Sequence, residues 1–401
     1  MPGWTIASVA GAVRTGVLSA VDAVSMQLER LHAVDGSLRA VAWFSDEAVL
    51  DDARRLDELF VHDRSAIGPL HGVPVTIKDW IDVDGFPCAG TTDRSDRRPE
   101  RDATVVARLR QAGAVVIAKT KPWGDVLHPI DPSRSPGGSS TGEAVAVSSG
   151  GSLGGLGSDS GGSIRLPAAW CGVLGYKPTA GLVPNTGHFP RVGAHHDGRT
   201  QIGPIGHTID DLTLLMAVIA GPDELDAGVP PIDLLWSFQT KPVNQRFAVI
   251  VAEADQAVRA AVDRAAATLQ AAGLERVEWT APWLEESFDL TRRYWDRTRR
   301  SGAEVDRDLH DWDTFRFRYL RATRKIDYIL TPVAATAAPV TTEDGVLPTH
   351  HFSYTAPASL TGSPALSIPS GNDEHLPVAV QLIGKPWHDP KLLAAARNLA
   401  R

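Results

Sequence analysis

The residues with the most chemical potential lie in a Gly/Ser-rich stretch and the apolar run behind it. From Ser135 to Ser163 the chain reads SPGGSSTGEAVAVSSGGSLGGLGSDSGGS, then continues as IRLPAAWCGVLG, which begins as a helix. Gly161 and Gly162, set before a helix start, allow positive φ and gather several backbone N–H groups into a concave arrangement. Helix-start amides lack partners within the helix and suit developing negative charge. A serine that closes such a loop gains from an oxyanion hole, where losing one donor raises the barrier by about 2.7–4 kcal/mol. Ser163 is therefore the candidate nucleophile, and the amides of Ser160, Gly161, Gly162 and Ser163 are the candidate hole.

A serine nucleophile needs a base. Thirteen histidines are present, but none stands in a recognisable triad context. A lysine serves only when neutral, and burial favours that form. Lys78 ends the apolar run PLHGVPVTIK (69–78), where Val73, Val75 and Ile77 alternate with smaller or polar residues as in a short strand. The bland alternative is a surface lysine. A flexible linker is the bland reading of the Gly/Ser stretch, but it holds a helical block, Glu143 to Val147, and has strand-like blocks on both sides. Residues 138–142, GSSTG, satisfy the G-x-S-x-G elbow pattern with Ser140 in the middle. In a Gly/Ser-rich stretch that short pattern arises readily by chance. Neither GxGxxG in strand context nor GxxxxGK nor HExxH occurs, and the His195–His196 pair has no partners in the pattern. No metal or cofactor is expected.

The elements that must position these residues follow an α/β rhythm. Apolar periodicity predicts two helices across 5–34 and a third from Ser45 to Leu59. Ala103 to Ala112 reads as a helix with Asp102 as N-cap and Gly113 as stop, followed by a buried strand from Ala114 to Ala118. The same order returns as a strand from Arg246 to Val251 and a helix from Gln256 to Ala272. Further strands are expected at Ile326 to Leu330, Ala365 to Ile368 and Val378 to Ile383, with a closing helix from Lys391 to Leu399. The segment from Trp283 to Tyr319 is helical and rich in aromatic rings. These bury against the sheet or cover an acyl pocket.

The 401 residues are 43% hydrophobic and 22% charged, an ordinary globular composition. A net charge of -8 argues against a nucleic-acid partner. The arginines between Arg292 and Arg324 are interleaved with acids and read as a solvated helical face. Cys88 and Cys171 belong to no CxxC pattern, so a disulfide scaffold is excluded, a zinc site is not expected, and a reducing cytoplasm fits. Charges interrupt each apolar run near the N-terminus, so no signal peptide and no membrane span is expected.

Taken together, GVPVTIKD (72–79), PGGSSTGEA (136–144) and GSDSGGSIRLPAAWCGVLGYKPT (157–179) resemble the amidase-signature enzymes. The resemblance extends over DATVVARLRQAGAVVIAKT (102–120), DYILTP (327–332) and the closing TGSPALSIP and LPVAVQLIGKP blocks. It implies one α/β domain over 1–401 with a mixed central β-sheet flanked by helices. N-terminal helices take 1–65, a signature core 66–220, and a variable helical segment 283–325 that could cover the substrate. It also implies a triad of Lys78, Ser139 and Ser163, a cis peptide between Gly138 and Ser139, and supporting roles around the loop for Ser140, Asp159 and Arg165. The implied reaction is hydrolysis of a small-molecule amide through an acyl-enzyme. The alternatives are a glutaminase-like subunit that passes ammonia to a partner, and a non-catalytic binding protein. The family also allows a homodimer. Three departures leave the triad untouched: a short 119–136 stretch, Trp80 where a small polar residue is common, and Thr141 in place of a common Gly.

Overall fold

A computed structural model describes residues 3–89, 97–189, 198–231, 245–279, 283–342 and 347–400. The predicted N-terminal helices are α1 (Ile6–Thr15), α2 (Ala20–Leu38) and α3 (Asp46–His62). Thr5 and Ser8 form a capping box at α1, and Gly16 ends that helix in the left-handed conformation, at φ 74°. Ser19 then caps α2 by accepting from the Asp22 amide. The strand β1 (Val41–Phe44) separates α2 from α3.

The strand that carries Lys78 is β2 (Pro74–Lys78), buried along its whole length. It is followed by α4 (Thr104–Gln111) and β3 (Val115–Thr120). Asp102 is not the N-cap of α4. Ala103 holds that position and has no polar atom to cap with, while the Asp102 carboxylate accepts from the Asp84 amide at 2.8 Å and pairs with Arg110 at 3.0 Å. The Gly/Ser stretch folds as α5 (Thr141–Ser148) and β4 (Gly154–Asp159), and leads into α6 (Arg165–Cys171), β5 (Leu174–Lys177), β6 (Gln201–Gly206) and α7 (Ile209–Ile219).

The second half contributes β7 (Arg246–Val249), α8 (Gln256–Ala271), the two-residue β8 (Glu275–Arg276), α9 (Leu284–Trp295), α10 (Gly302–Thr323) and β9 (Tyr328–Pro332). The strand β9 starts two residues later than predicted, because the Ile326 amide closes a turn onto the Thr323 carbonyl. After α11 (Ala356–Thr361), β10 (Ala365–Asp373) and β11 (Leu376–Gly384) form an antiparallel hairpin with a bulge between Pro369 and Gly371, and so run longer than their apolar cores suggest. The chain closes with α12 (Asp389–Ala396), whose first turn holds a proline.

Among the described residues the strands form one sheet in the order β1-β3-β2-β4-β6-β5-β10-β11-β9-β7-β8. It is mixed: β2 runs parallel to β3 and β4, while β4 with β6, and β5 with β6 and β10, are antiparallel. Helices flank the sheet, and one large apolar core runs from Ile6 on α1 to Ala396 on α12. The end of β2, the start of α5 and the loop after β4 therefore meet near the centre of the sheet.

Candidate active site

Lys78 lies at the buried end of β2 with no exposed surface. Its Nζ is 2.8 Å from Ser139 Oγ and 3.2 Å from Ser158 Oγ. Burial pushes the Lys78 amine well below its ordinary range, while Asp159 and Glu143 pull it partly back. The ring of Trp80 stacks over the same nitrogen, 4.0 Å from its centroid. The Gly138–Ser139 peptide bond is cis, as the resemblance implies.

Ser139 sits just before α5, and Ser163 sits in the loop between β4 and α6. Backbone joins the two loops: the Ser140 amide donates to the Ser163 carbonyl at 2.9 Å. The Ser140 hydroxyl accepts from the Ser158 amide at 3.2 Å, which fastens the start of α5 to β4. Among the described residues no hydrogen bond joins Ser163 Oγ to Ser139 Oγ, so the first contact of the expected relay is in place and the second is open.

Asp159 ends β4, fully buried, and organises the serine loop. It accepts from the Gly162 amide at 2.7 Å and the Ile164 amide at 3.2 Å. Arg165 grips the same carboxylate with Nε and Nη2, each at 3.0 Å. Burial alone would push this carboxyl up, but the Arg165 charge and its hydrogen bonds hold it at about 2. Arg165 reaches on to the Thr355 carbonyl, Ser359 Oγ and Gln381 Oε1.

One of the four amides expected to form an oxyanion hole already has a partner. The Gly162 N–H is committed to Asp159 Oδ1 at 2.7 Å. Gly162 itself has φ 137°, a conformation open to glycine. The amides of Ser160, Gly161 and Ser163 have no acceptor among the described residues, and they remain the candidate donors.

The helical segment packs in two directions. Tyr294, Phe315 and Tyr319 are buried in a cluster with Trp283 and Trp312. Trp295, at the end of α9, instead leans over the serine loop: its Nε1 donates to Ser160 Oγ at 3.3 Å and its ring packs edge-on against Phe352. Phe317 is 65% exposed and does neither. Ser158, Glu143, Trp295, Thr355 and Gln381 complete the surroundings of the site, and sequence reasoning did not single them out for it. Of these, Ser158 had a signal, since it lies inside GSDSGGS. The His195–His196 pair lies outside the described residues. No group of three metal-binding side chains occurs among the described residues, and none of their helices is long and apolar enough to cross a membrane.

A family model for amidases matches residues 22–302 and 297–393, and the chain belongs to the amidase-signature family of enzymes. Within it, the chain is 32% identical to a glutamyl-tRNA(Gln) amidotransferase subunit from Carboxydothermus hydrogenoformans, over 96% of this chain and 94% of that one. Their aligned length of 460 exceeds the 401 residues here, so the relative carries insertions that this chain lacks. Among solved structures, one from a vestigial protein complex bearing on the evolutionary origins of an s-triazine catabolic enzyme is similar with a TM-score of 0.88. It is 26% identical, over 99% of this chain and 98% of that one. The corresponding glutamyl-tRNA(Gln) amidotransferase subunit from Thermotoga maritima is similar with a TM-score of 0.79 and 28% identity, over 99% and 94% of the two chains.

Proposed function

We propose that the chain cleaves the C–N bond of a small carboxamide through an acyl-enzyme on Ser163, giving a carboxylate and ammonia or an amine. The observation that carries this reading is the 2.8 Å contact between Lys78 Nζ and Ser139 Oγ beside the Ser163 loop. A lysine kept neutral by burial can accept a proton. Lys78 takes one from Ser139, and Ser139 takes one from Ser163 as Ser163 Oγ attacks the amide carbon. The oxygen that gains charge accepts hydrogen bonds from the free loop amides. As the C–N bond breaks, the protons return along the same path to the leaving nitrogen. Water then repeats the sequence on the ester and frees Ser163. The open contact between the two serines closes when substrate orders Ser163, as catalytic hydrogen bonds commonly tighten in the complex.

The sequence relatives favour a second reading of the same chemistry, in which glutamine is the amide and the ammonia passes to a partner protein. Ammonia release from a panel of primary amides, glutamine included, separates the two. Turnover by the purified chain alone supports free-standing hydrolysis. Glutamine turnover found only in a larger complex isolated by size exclusion supports the second reading. In either case Ser163→Ala abolishes turnover, Lys78→Ala nearly does so, and a fluorophosphonate probe labels Ser163. Activity near wild type in Ser163→Ala would remove the mechanism.

A further inference from the structure

Glu143 is a carboxyl group that this reaction leaves unused. It is fully buried on α5 and reaches the strand that carries Lys78. Thr76 Oγ1 donates to Glu143 Oε1 at 2.5 Å, and Thr120 Oγ1 donates to Oε2 at 2.8 Å. Thr76 and Lys78 are two residues apart on β2 and so share one face. Thr120 stands beside Lys78 in the parallel register of β2 and β3. The neighbouring strand makes room for the carboxyl: a Cβ at Gly155 would fall 2.4 Å from Glu143 Oε1.

The other charged groups packed around this point already have partners. Asp159 on β4 is held by Arg165 from α6. Lys119 on β3 pairs with Asp79 at 3.2 Å. His207, beyond β6 and toward Ser152, has Asp211 beside it. The helix α2 presents the uncharged Gln27, bonded to the Gly150 carbonyl. Glu143 has two hydroxyl partners and no salt bridge among the described residues, and a buried charge needs compensation. Lys78, on the same face of β2 as Thr76, is the cation whose charge acts on it.

We propose that Glu143 is a positioning residue for Lys78, and that its carboxylate sets the pH at which Lys78 becomes a base. The inference rests on the reading of Lys78 as the base. Burial pushes the Glu143 carboxyl up to about 7, against the two threonine hydroxyls and Lys78, which pull it down. Ionised Glu143 in turn favours the ammonium form of Lys78. The two groups titrate as a pair, and the acid limb of the activity profile belongs to both.

The test is the dependence of kcat/KM on pH in Glu143→Gln, which keeps the size and removes the charge. An opposite charge within about 4–6 Å shifts a neighbour by about 1–3 pH units. The expected result is an acid limb displaced toward acid by about one unit, so that on the wild-type limb the variant is about tenfold faster. A carboxyl with a merely structural role would lower activity by one factor at every pH and leave the limb in place, and that result overturns the proposal. Should Glu143→Gln fail to fold, Thr120→Val removes one donor from the carboxylate and shifts the limb the same way by less. An unmoved limb there also overturns it. Full activity in Lys78→Ala would instead remove the parent reading, so the two failures are distinct.

Discussion

Changing Asp159 to asparagine keeps the shape of the side chain and removes one charge from the centre of the serine loop. Asp159 and Arg165 are both fully buried and share two hydrogen bonds. Removing one member of such a pair costs about 3–5 kcal/mol, because the other charge stays buried. The asparagine NH₂ would also face the Gly162 or Ile164 amide, two donors with no acceptor between them. A domain's whole stability is about 5–15 kcal/mol, so the loss is large. The effect carries its own pH signature. The folded-state carboxyl is depressed to about 2, so its stabilisation is complete above the ordinary carboxylate range and is lost as pH falls through it toward 2. The full contribution is roughly 2–3 kcal/mol. Equilibrium urea unfolding followed by tryptophan fluorescence measures both parts. The expected gap between wild type and variant is about 3–5 kcal/mol at pH 7 and about 1 kcal/mol narrower at pH 3. A variant within about 1 kcal/mol of wild type at pH 7, or a gap that widens in acid, would refute the account of the loop.

Gly161→Ala places a Cβ 2.4 Å from Trp295 Cζ2. The ring or the loop must move, and kcat/KM is expected to fall by about tenfold or more. Trp295→Ala in the same chain should recover part of that loss, and a double-mutant cycle with no coupling would contradict the contact. Both cysteines are buried, with burial pushing Cys88 up to about 12 and Cys171 higher still. An aromatic disulfide reagent at pH 8 should therefore label the native protein far more slowly than the urea-unfolded chain, and equal rates would show that the thiols are open to solvent.

Elements with strong apolar periodicity were legible in the sequence: α1, α2, α3 and α8 fall within a few residues of expectation, as does β2 with Lys78 at its end. The strands β4 and β6 were not legible. GGLGSD and QIGPIG carry too few branched apolar residues to look like strands. They are strands because glycine lets the backbones approach closely in the middle of a covered sheet. At the site, Lys78 and Ser163 were readable as candidates from the residues themselves, while Ser139, Asp159 and Arg165 were named only through the resemblance. Which amide each carboxylate oxygen occupies was not readable, and so Gly162 was counted as a hole donor when Asp159 already takes its N–H. Glu143 was read as part of a helical apolar block. Its role depends on Thr76 and Thr120, which only the parallel register brings to it.

The reach of Arg165 to Gln381 crosses more than half of the chain, from the serine loop to a strand near the C-terminus. Gln381 is held in turn by Thr331 Oγ1 and the Tyr354 carbonyl. During synthesis, every residue proposed for proton transfer leaves the ribosome long before this brace exists. A nascent or C-terminally clipped chain would thus carry all three proposed triad side chains, with the serine loop held by Asp159 and Ser140 but without the brace that Gln381 gives Arg165. On the proposed reading, amide cleavage needs this hairpin in place, and its loss should silence turnover without touching a single proposed reacting group.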